Sequence, residues 1–142
     1  MASISAIREG LKARMDTISG LRNHAWVVGD IVPPATVIIP GNPSSKSQPV
    51  VNFDATMGRG SDDFLFTIVL MVSNKVERVA QDQLDAYLDG SGATSIREAI
   101  AADGTLGGVA HFTNVTGVRD YGLVSYGGQQ YVGAELIVEV CA

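Results

Sequence analysis

Apolar residues recur at helical spacing over the first twenty residues of the chain. Ile4, Ile7, Leu11, Met15 and Ile18 fall on one stripe, with charged residues between them. Ser3 is placed to cap the start of this helix, and Gly20 stands where a glycine commonly follows a helix end. The pattern therefore predicts a helix over residues 3–19 with one buried face.

A second helical region begins at Asn74, which is predicted to cap it. Its apolar stripe consists of Val76, Val79, Ala80, Leu84, Tyr87 and Leu88, and its polar face of Glu77, Arg78, Gln81, Asp82 and Asp85. Gly90 and Gly92 end this helix. Ser95 and Glu98 have capping-box spacing, which predicts a short helix over 96–102 with Ile96, Ala99 and Ile100 facing the core.

The rest of the chain is β-like. Strands are predicted at 35–39, 50–56, 63–73, 109–118, 121–126 and 130–140. The run 63–73 is almost continuously apolar, so both of its faces are expected to be covered. In the last strand Leu136, Val138 and Val140 alternate with more polar positions, and Gly127-Gly128 before it predicts a two-residue hairpin turn.

The order is helix, three strands, helix pair, three strands. It predicts a single α+β domain over 1–142, with a mixed, largely antiparallel sheet and the N-terminal helix and central helix pair packed on it. The loops at 40–49 and 56–62 are the longest pieces without predicted structure. Because function concentrates on long loops, they are the expected functional segments.

Charge and composition exclude several classes of protein. The chain has 142 residues and a formal net charge of −5, which does not favour electrostatic binding to nucleic acid. The N-terminus carries charges throughout, unlike a signal peptide, and the apolar run 64–72 is too short to span a bilayer. The single cysteine, Cys141, cannot form an internal disulfide, so we expect a reducing, cytoplasmic folding environment.

Motifs for nucleotide or metal binding are weak. The run GNPSSKS at 41–47 resembles a phosphate-binding loop, but Ser45 replaces the required second glycine and Pro43 removes an N–H donor. The Gly58-Arg59-Gly60 run precedes a strand, the wrong order for a dinucleotide site. Asp62-Asp63 is more typical of a turn than of a cation site.

Catalytic motifs are weak as well. His24 and His111 have no second ligand at metal spacing, and His111 is expected on a sheet face. No local motif supports a nucleophile. Cys141 is expected to be an inert side chain, and Trp26 is expected to anchor the core, with an interface role as the alternative. We expect no enzymatic activity, no cofactor and no metal.

Five segments together resemble a known family: GRGSDD, then FLFTIVLMVS, AQDQLDAYLDGSGATSIREAI, DGTLGGVAHFTNV and a closing YVGAELIVEV. Over nearly the whole chain this is similar to the tail terminator proteins of long-tailed (siphovirus-type) bacteriophages, especially those that infect actinobacteria. The most specific part is the run from LDAYLDGSG to SIREAI, with LGG after it.

The resemblance implies a virion structural protein of the tail. Such proteins form a homo-oligomeric ring, commonly a hexamer, on the last ring of the tail tube protein, where they stop tube polymerisation. The ring then offers a surface to the head–tail connector or neck proteins, and DNA passes through its lumen without specific binding. The subunit is made in the host cytoplasm and ends at the neck end of the virion tail, with no membrane contact.

On this reading the two long loops contact neighbouring subunits or the tube, and the candidate assembly-interface residues are Lys46, Arg59, Asp62 and Asp63. Three alternatives remain: another neck or tail-completion protein, a tube subunit, and a small-ligand-binding α+β domain. The last would use Asp62, Asp63, His111 and a pocket under the 41–49 loop.

Overall fold

The computed structural model describes residues 3–43, 48–53 and 62–142, and it has the α+β architecture that the sequence predicts. Three helices and six strands are described, together with a single 3₁₀ turn at Leu106–Gly108. In chain order they are α1 (Ile4–Met15), β1 (Arg22–His24), β2 (Ala35–Pro40), β3 (Val51–Asn52), β4 (Asp63–Ser73), α2 (Arg78–Leu88), α3 (Ile96–Ala101), β5 (Phe112–Tyr126) and β6 (Gln129–Cys141).

The strands form one mixed sheet in the order β1-β2-β4-β6-β5. Only the β1–β2 pair is parallel among the described pairs, and the others are antiparallel. The short β3 lies beside β4 in line with β2. On this side of β4, β2 is followed by Gly41, whose N–H donates to Leu65 O. Hydrogen bonding to β4 resumes at Val50, whose carbonyl accepts from Leu65 N. The strand pairing on this side of β4 is therefore interrupted between Gly41 and Val50.

All three helices cover the same face of the sheet. Alternate residues of the two central strands point toward them: Phe64, Phe66, Ile68, Leu70 and Val72 of β4, and Val132, Ala134, Leu136, Val138 and Val140 of β6. They meet Ile7, Leu11 and Met15 of α1, Leu84 and Tyr87 of α2, and Ile96 and Ile100 of α3. Burying each large side chain stabilises the fold by about 1.5–3 kcal/mol.

A smaller apolar cluster covers the other face, near the β5–β6 turn. It consists of Val37, Val69, Met71, Val124 and Tyr131, with Ile31, Ile39 and Tyr126 packed against it. The segment between β1 and β2 closes over this cluster, and the Val28 N–H donates to Tyr126 Oη. Both faces of β4 are thus covered, as its continuous apolar run predicts.

The predicted N-terminal helix is confirmed at its start and is too long at its end. Ser3 Oγ accepts a hydrogen bond from Ala6 N at 3.1 Å, which is the expected cap. The helix ends at Met15 rather than Ser19, so Gly20 does not follow it directly. Asp16 closes the last turn, because its carboxylate accepts from Lys12 and from Asn23 of β1. Ile18 is still buried, although it lies beyond the helix.

The predicted boundary of the second helix is wrong. α2 begins at Arg78, not at Asn74, and Glu77 at its start makes no side-chain capping bond. Val76 and Val79, which the helical stripe placed in the core, are 68% and 73% exposed. In α3, Ser95 Oγ accepts from Glu98 N as predicted, but the Glu98 carboxylate accepts from Gly92 N rather than from the backbone of Ser95.

The strand predictions differ mainly in their boundaries. The predicted strands 109–118 and 121–126 are one strand, β5, whose pairing with β6 shifts register twice. Of the predicted strand 50–56, Val51–Asn52 is observed, and 54–56 lie outside the described residues. The hairpin turn is confirmed: Gly127 and Gly128 have φ of 60° and 84°, the left-handed conformation that such a two-residue turn requires.

Gly133 sets the spacing of the two central strands. A Cβ atom at this position would lie 2.0 Å from Leu70 O, so Gly133→Ala would force β4 and β6 apart. We expect this variant to lower the free energy of unfolding by about 3 kcal/mol or more. Urea denaturation measures this, with Gly117→Ala as the control, since a Cβ at Gly117 meets no atom within 4 Å. Equal stability of the two variants would contradict the assignment.

Candidate functional site

The sheet ends in a long edge strand. β5 has 15 residues and pairs with β6 on one side, whereas no described strand pairs with its other side. Its side chains alternate between exposed and half-buried positions along most of its length, and Phe112, Val118, Tyr121 and Leu123 are exposed apolar residues. An unpaired edge of this kind presents a row of backbone donors and acceptors to another chain.

Irregular backbone interrupts this edge. The pairing of β5 with β6 shifts register between Val115 and Gly117, and again between Arg119 and Gly122. Asp120 within the second irregularity has a φ of 54°, which is uncommon for a residue other than glycine. Such bulges twist a strand locally and limit indiscriminate edge pairing. The edge is therefore available for pairing but is not a flat template.

An apolar groove lies beside the edge, on the face that carries the helices. It has a volume of about 150 Å³ and is lined by Val76, Gln81, Leu84, Tyr121, Gly122, Leu123 and Val132. It runs between the start of α2 and the second irregularity of β5. Val76 and Leu123 at its rim are 68% and 54% exposed. Apolar side chains placed in this way form a contact surface for another molecule.

The rim of the groove is negatively charged. Tyr121 Oη donates a hydrogen bond to the Asp85 carboxylate. This bond raises the pKa of Tyr121 above its ordinary value, and the charges of Asp85 and Asp82 act in the same direction. Asp82 is 3.8 Å from Arg78, an exposed i,i+4 pair that neutralises it only weakly. Asp85 has no ion pair among the described residues.

The opposite edge of the sheet carries a different exposed group. Trp26, just after β1, is 46% exposed, so the prediction that it anchors the core is wrong. Its ring stacks on the Arg8 guanidinium of α1, with 4.2 Å between Arg8 Cζ and the ring centroid. Arg8 donates to two backbone carbonyls, Ala25 O at 2.7 Å and Ile38 O at 3.3 Å. Partial burial lowers the pKa of Arg8.

A polar network connects β5 to the base of the 42–49 loop on the other face. Arg119 Nε donates to Glu135 Oε1 at 2.9 Å, and both side chains are largely buried. Arg119 Nη2 also donates to Thr67 Oγ1, which in turn donates to the carbonyl of Gly41. A polar groove of about 270 Å³ lies here, lined by Asn42, Gln48, Leu65, Thr67, Thr116, Arg119, Ile137 and Glu139.

The four residues that the sequence singled out for assembly are only partly described. Lys46 and Arg59 lie outside the described residues. Asp62 is 7% exposed, and its backbone exchanges two hydrogen bonds with Ala142. Asp63 begins β4, is exposed, and lines a shallow depression with Asn52 and Glu139. Their role at an interface stays a prediction.

The residues of the alternative ligand site are only partly brought together. The groove at Asn42 and Gln48 is not lined by Asp62, Asp63 or His111, whereas the depression at Gln48 and Pro49 is lined by Asp63. His111 is an exposed residue before β5 rather than a sheet-face residue of a strand, and its N–H bonds Cys141 O. Cys141 is buried and its thiol is free, and its inertness stays a prediction. Within residues 3–43, 48–53 and 62–142, no three His, Cys, Asp or Glu residues form a cluster that could hold a metal ion.

The helices of the described part of the chain are too short or too polar to cross a bilayer. No protein-family profile matches the chain. No curated protein sequence matches it significantly either.

Sequence reasoning missed the groove because Val76 and Val79 fit a helical stripe. Periodicity reports which residues are apolar on one side of a helix but not what covers them. Asn74 is also a better capping residue than Glu77, so the local signals favour the earlier start, and only the β-branched Val76 mildly disfavours it.

The Tyr121–Asp85 hydrogen bond gives a titration that can be measured. We expect Tyr121 to ionise at higher pH than an ordinary tyrosine, and Asp85→Asn to lower its pKa toward the normal value. Because the folded-state pKa is raised, stabilisation by this bond is present below about pH 10 and is lost as the pH rises through the folded-state value. Tyrosinate absorbance measures the titration of all four tyrosines. The difference between the unmodified chain and Tyr121→Phe gives the contribution of Tyr121. An unchanged titration in Asp85→Asn would disprove the coupling.

Proposed function

We propose that this chain is a ring-forming structural subunit that caps the tail tube of a long-tailed bacteriophage. The ring ends tube polymerisation and joins the tail to the neck proteins of the head. The family resemblance of the sequence motivates this proposal, and the surface described above supports it. On this proposal the subunit is made in the host cytoplasm and resides at the neck end of the virion tail.

The observation that carries the assembly role is the unpaired edge of β5 together with the groove beside it. A closed ring needs heterologous contacts, in which one patch of a subunit meets a different patch of its neighbour. Two such patches lie at opposite ends of the strand order. One is the β5 edge with the apolar groove and its negatively charged rim, and the other is the β1 edge with Trp26 and Arg8.

The overall charge suits a channel for DNA. A net charge of −5 disfavours adhesion to a polyanion, so DNA would pass through the lumen without being held. The remaining partners are then the tail tube protein on one side of the ring and a connector or neck protein on the other. The 41–49 loop and the segment before β4, with Lys46, Arg59, Asp62 and Asp63, are the proposed contacts to the tube or to a neighbour.

The proposal predicts that charges placed on the β5 surface block capping. Val118 and Leu123 are both exposed, so Val118→Lys combined with Leu123→Lys should preserve the fold. In the contact each lysine would bury an unpaired charge, and we expect about tenfold or greater loss of capped tubes. The measurement is the length distribution of tails, by electron microscopy, when the purified variant is added to polymerising tube protein.

The matched control is Ser91→Lys, which changes an exposed residue in the turn after α2, outside both proposed patches. It should cap tubes as the unmodified chain does, and thermal unfolding should show that both variants are folded. Uncontrolled tube growth in the presence of the unmodified chain would refute the proposed function.

The purified chain alone is expected to be a monomer at low micromolar concentration. Association costs translational, rotational and side-chain freedom, and this entropy cost opposes assembly until the tube provides a template. Sedimentation velocity with and without tube protein measures this. A stable hexamer without tube would contradict the template requirement, although the ring itself would stand.

A further inference from the structure

We propose that the groove between α2 and β5 receives Trp26 of a second copy of this chain, so that the β1 edge of one subunit abuts the β5 edge of the next. This inference rests on the proposed ring, and it names the contact that would close it.

The sheet places both partners on the same face. Trp26 stacks on Arg8 of α1, and the groove lies between α2 and β5, so both accompany the helix-covered face. They lie at opposite edges, since β1 is the first and β5 the last strand in the sheet order. Setting the β1 edge of one copy beside the β5 edge of another therefore puts Trp26 and the groove on the same side of the joined sheets, without turning either sheet over, and a shift along the strands brings them together.

The chemistry of the two surfaces matches. Trp26 presents a large apolar ring, the kind of side chain that anchors interfaces by filling an apolar depression. The groove supplies Val76, Leu84 and Leu123 as its apolar lining. Burying the exposed parts of these side chains against one another removes apolar surface from water on both subunits.

The charges of the two surfaces are complementary. Arg8 carries a cation at the Trp26 ring and is bonded to carbonyl oxygens, with no carboxylate partner among the described residues. Asp85 carries an anion at the groove and accepts from a neutral hydroxyl. Of the other charges nearby, Lys12 pairs with Asp16 and Arg78 more weakly with Asp82, whereas Glu9 beside Trp26 has no ion pair among the described residues. Docking Trp26 would bring the Arg8 cation toward the Asp85 anion.

The same charges disfavour a symmetric dimer through the groove. Two β5 surfaces facing each other would oppose Asp82 and Asp85 to their own copies, and like charges across an interface are repulsive. The heterologous arrangement avoids this repulsion and, unlike a two-fold contact, leaves one patch of each kind free to continue a ring.

Site-directed cross-linking tests the contact. In a Cys141→Ala background, Val27→Cys, an exposed neighbour that leaves the Trp26 ring in place, is combined in turn with Val76→Cys, Gln81→Cys or Leu123→Cys, each of which lies in the groove lining. The purified full chain is treated with a short bismaleimide, once at high concentration and once after addition to tail tubes. We expect a ladder of covalent oligomers from at least one groove pair, resolved on a denaturing gel.

The control combines Val27→Cys with Ser91→Cys, an exposed position in the turn after the far end of α2. It should give no ladder above the level of random collisions. Asp85→Lys, added to the best cross-linking pair, should lower its yield at least about twofold, as expected for loss of an exposed ion pair.

The outcomes separate this inference from the proposed function. If the unmodified chain caps tubes but no groove pair cross-links on them, or the Ser91 control cross-links equally well, the Trp26 contact is wrong and the ring stands. If groove pairs cross-link in the purified chain but tubes are never capped, the contact is supported and the proposed function fails.

Discussion

The pairing of β4 with β6 is the contact on which the rest of the structure depends. These two strands share ten paired positions from Asp63–Cys141 to Ser73–Val132, and their alternate side chains form the floor on which all three helices pack. The close approach of Gly133 to Leu70 O makes that pairing tight. Because the strands are central and buried, their backbone groups must pair with each other, since no water reaches them. Every other element is attached to this pair: β2 and β3 to the outer side of β4, and β5 to the outer side of β6.

The position of β5 follows from this arrangement. The helices cover the sheet from β1 to β6, and α3 covers the beginning of β5, so the second half of β5 extends past the helical layer. Leu123 faces the same side as Val132 but has only the start of α2 beside it, which leaves the groove open. The apolar surface is thus exposed because β5, with 15 residues, extends beyond the helices that cover the sheet. A chain selected only for solubility would shorten this strand or place charges on it.

Much of this fold could be predicted from local signals with a direct physical cause. The continuous apolar run of β4, the caps at Ser3 and Ser95 and the Gly127-Gly128 turn each specify backbone geometry within a few residues. The failures concern Val76, Val79 and Trp26, apolar residues whose environment depends on elements far away in the chain. Periodicity and composition predict that such residues seek an apolar partner, but not whether the partner belongs to the same molecule. An interface role is therefore best sought among apolar residues that the sequence assigns to the core but that the structure leaves exposed.

A surface that forms one specific contact must bind its partner and must also disfavour non-specific pairing with other chains. The groove and the open edge supply attraction, whereas the two irregularities of β5, including the left-handed Asp120, disrupt the regular pairing that an aggregating strand would need. Part of the stabilisation from a new contact is then offset by the conformational freedom that the contacting side chains lose on association. A rigid partner that already holds several subunits side by side lowers that cost, because the subunits meet at high effective concentration. On the proposed function, restraint of this kind makes association depend on a template, which is the property that a protein acting only at the end of a finished tube requires.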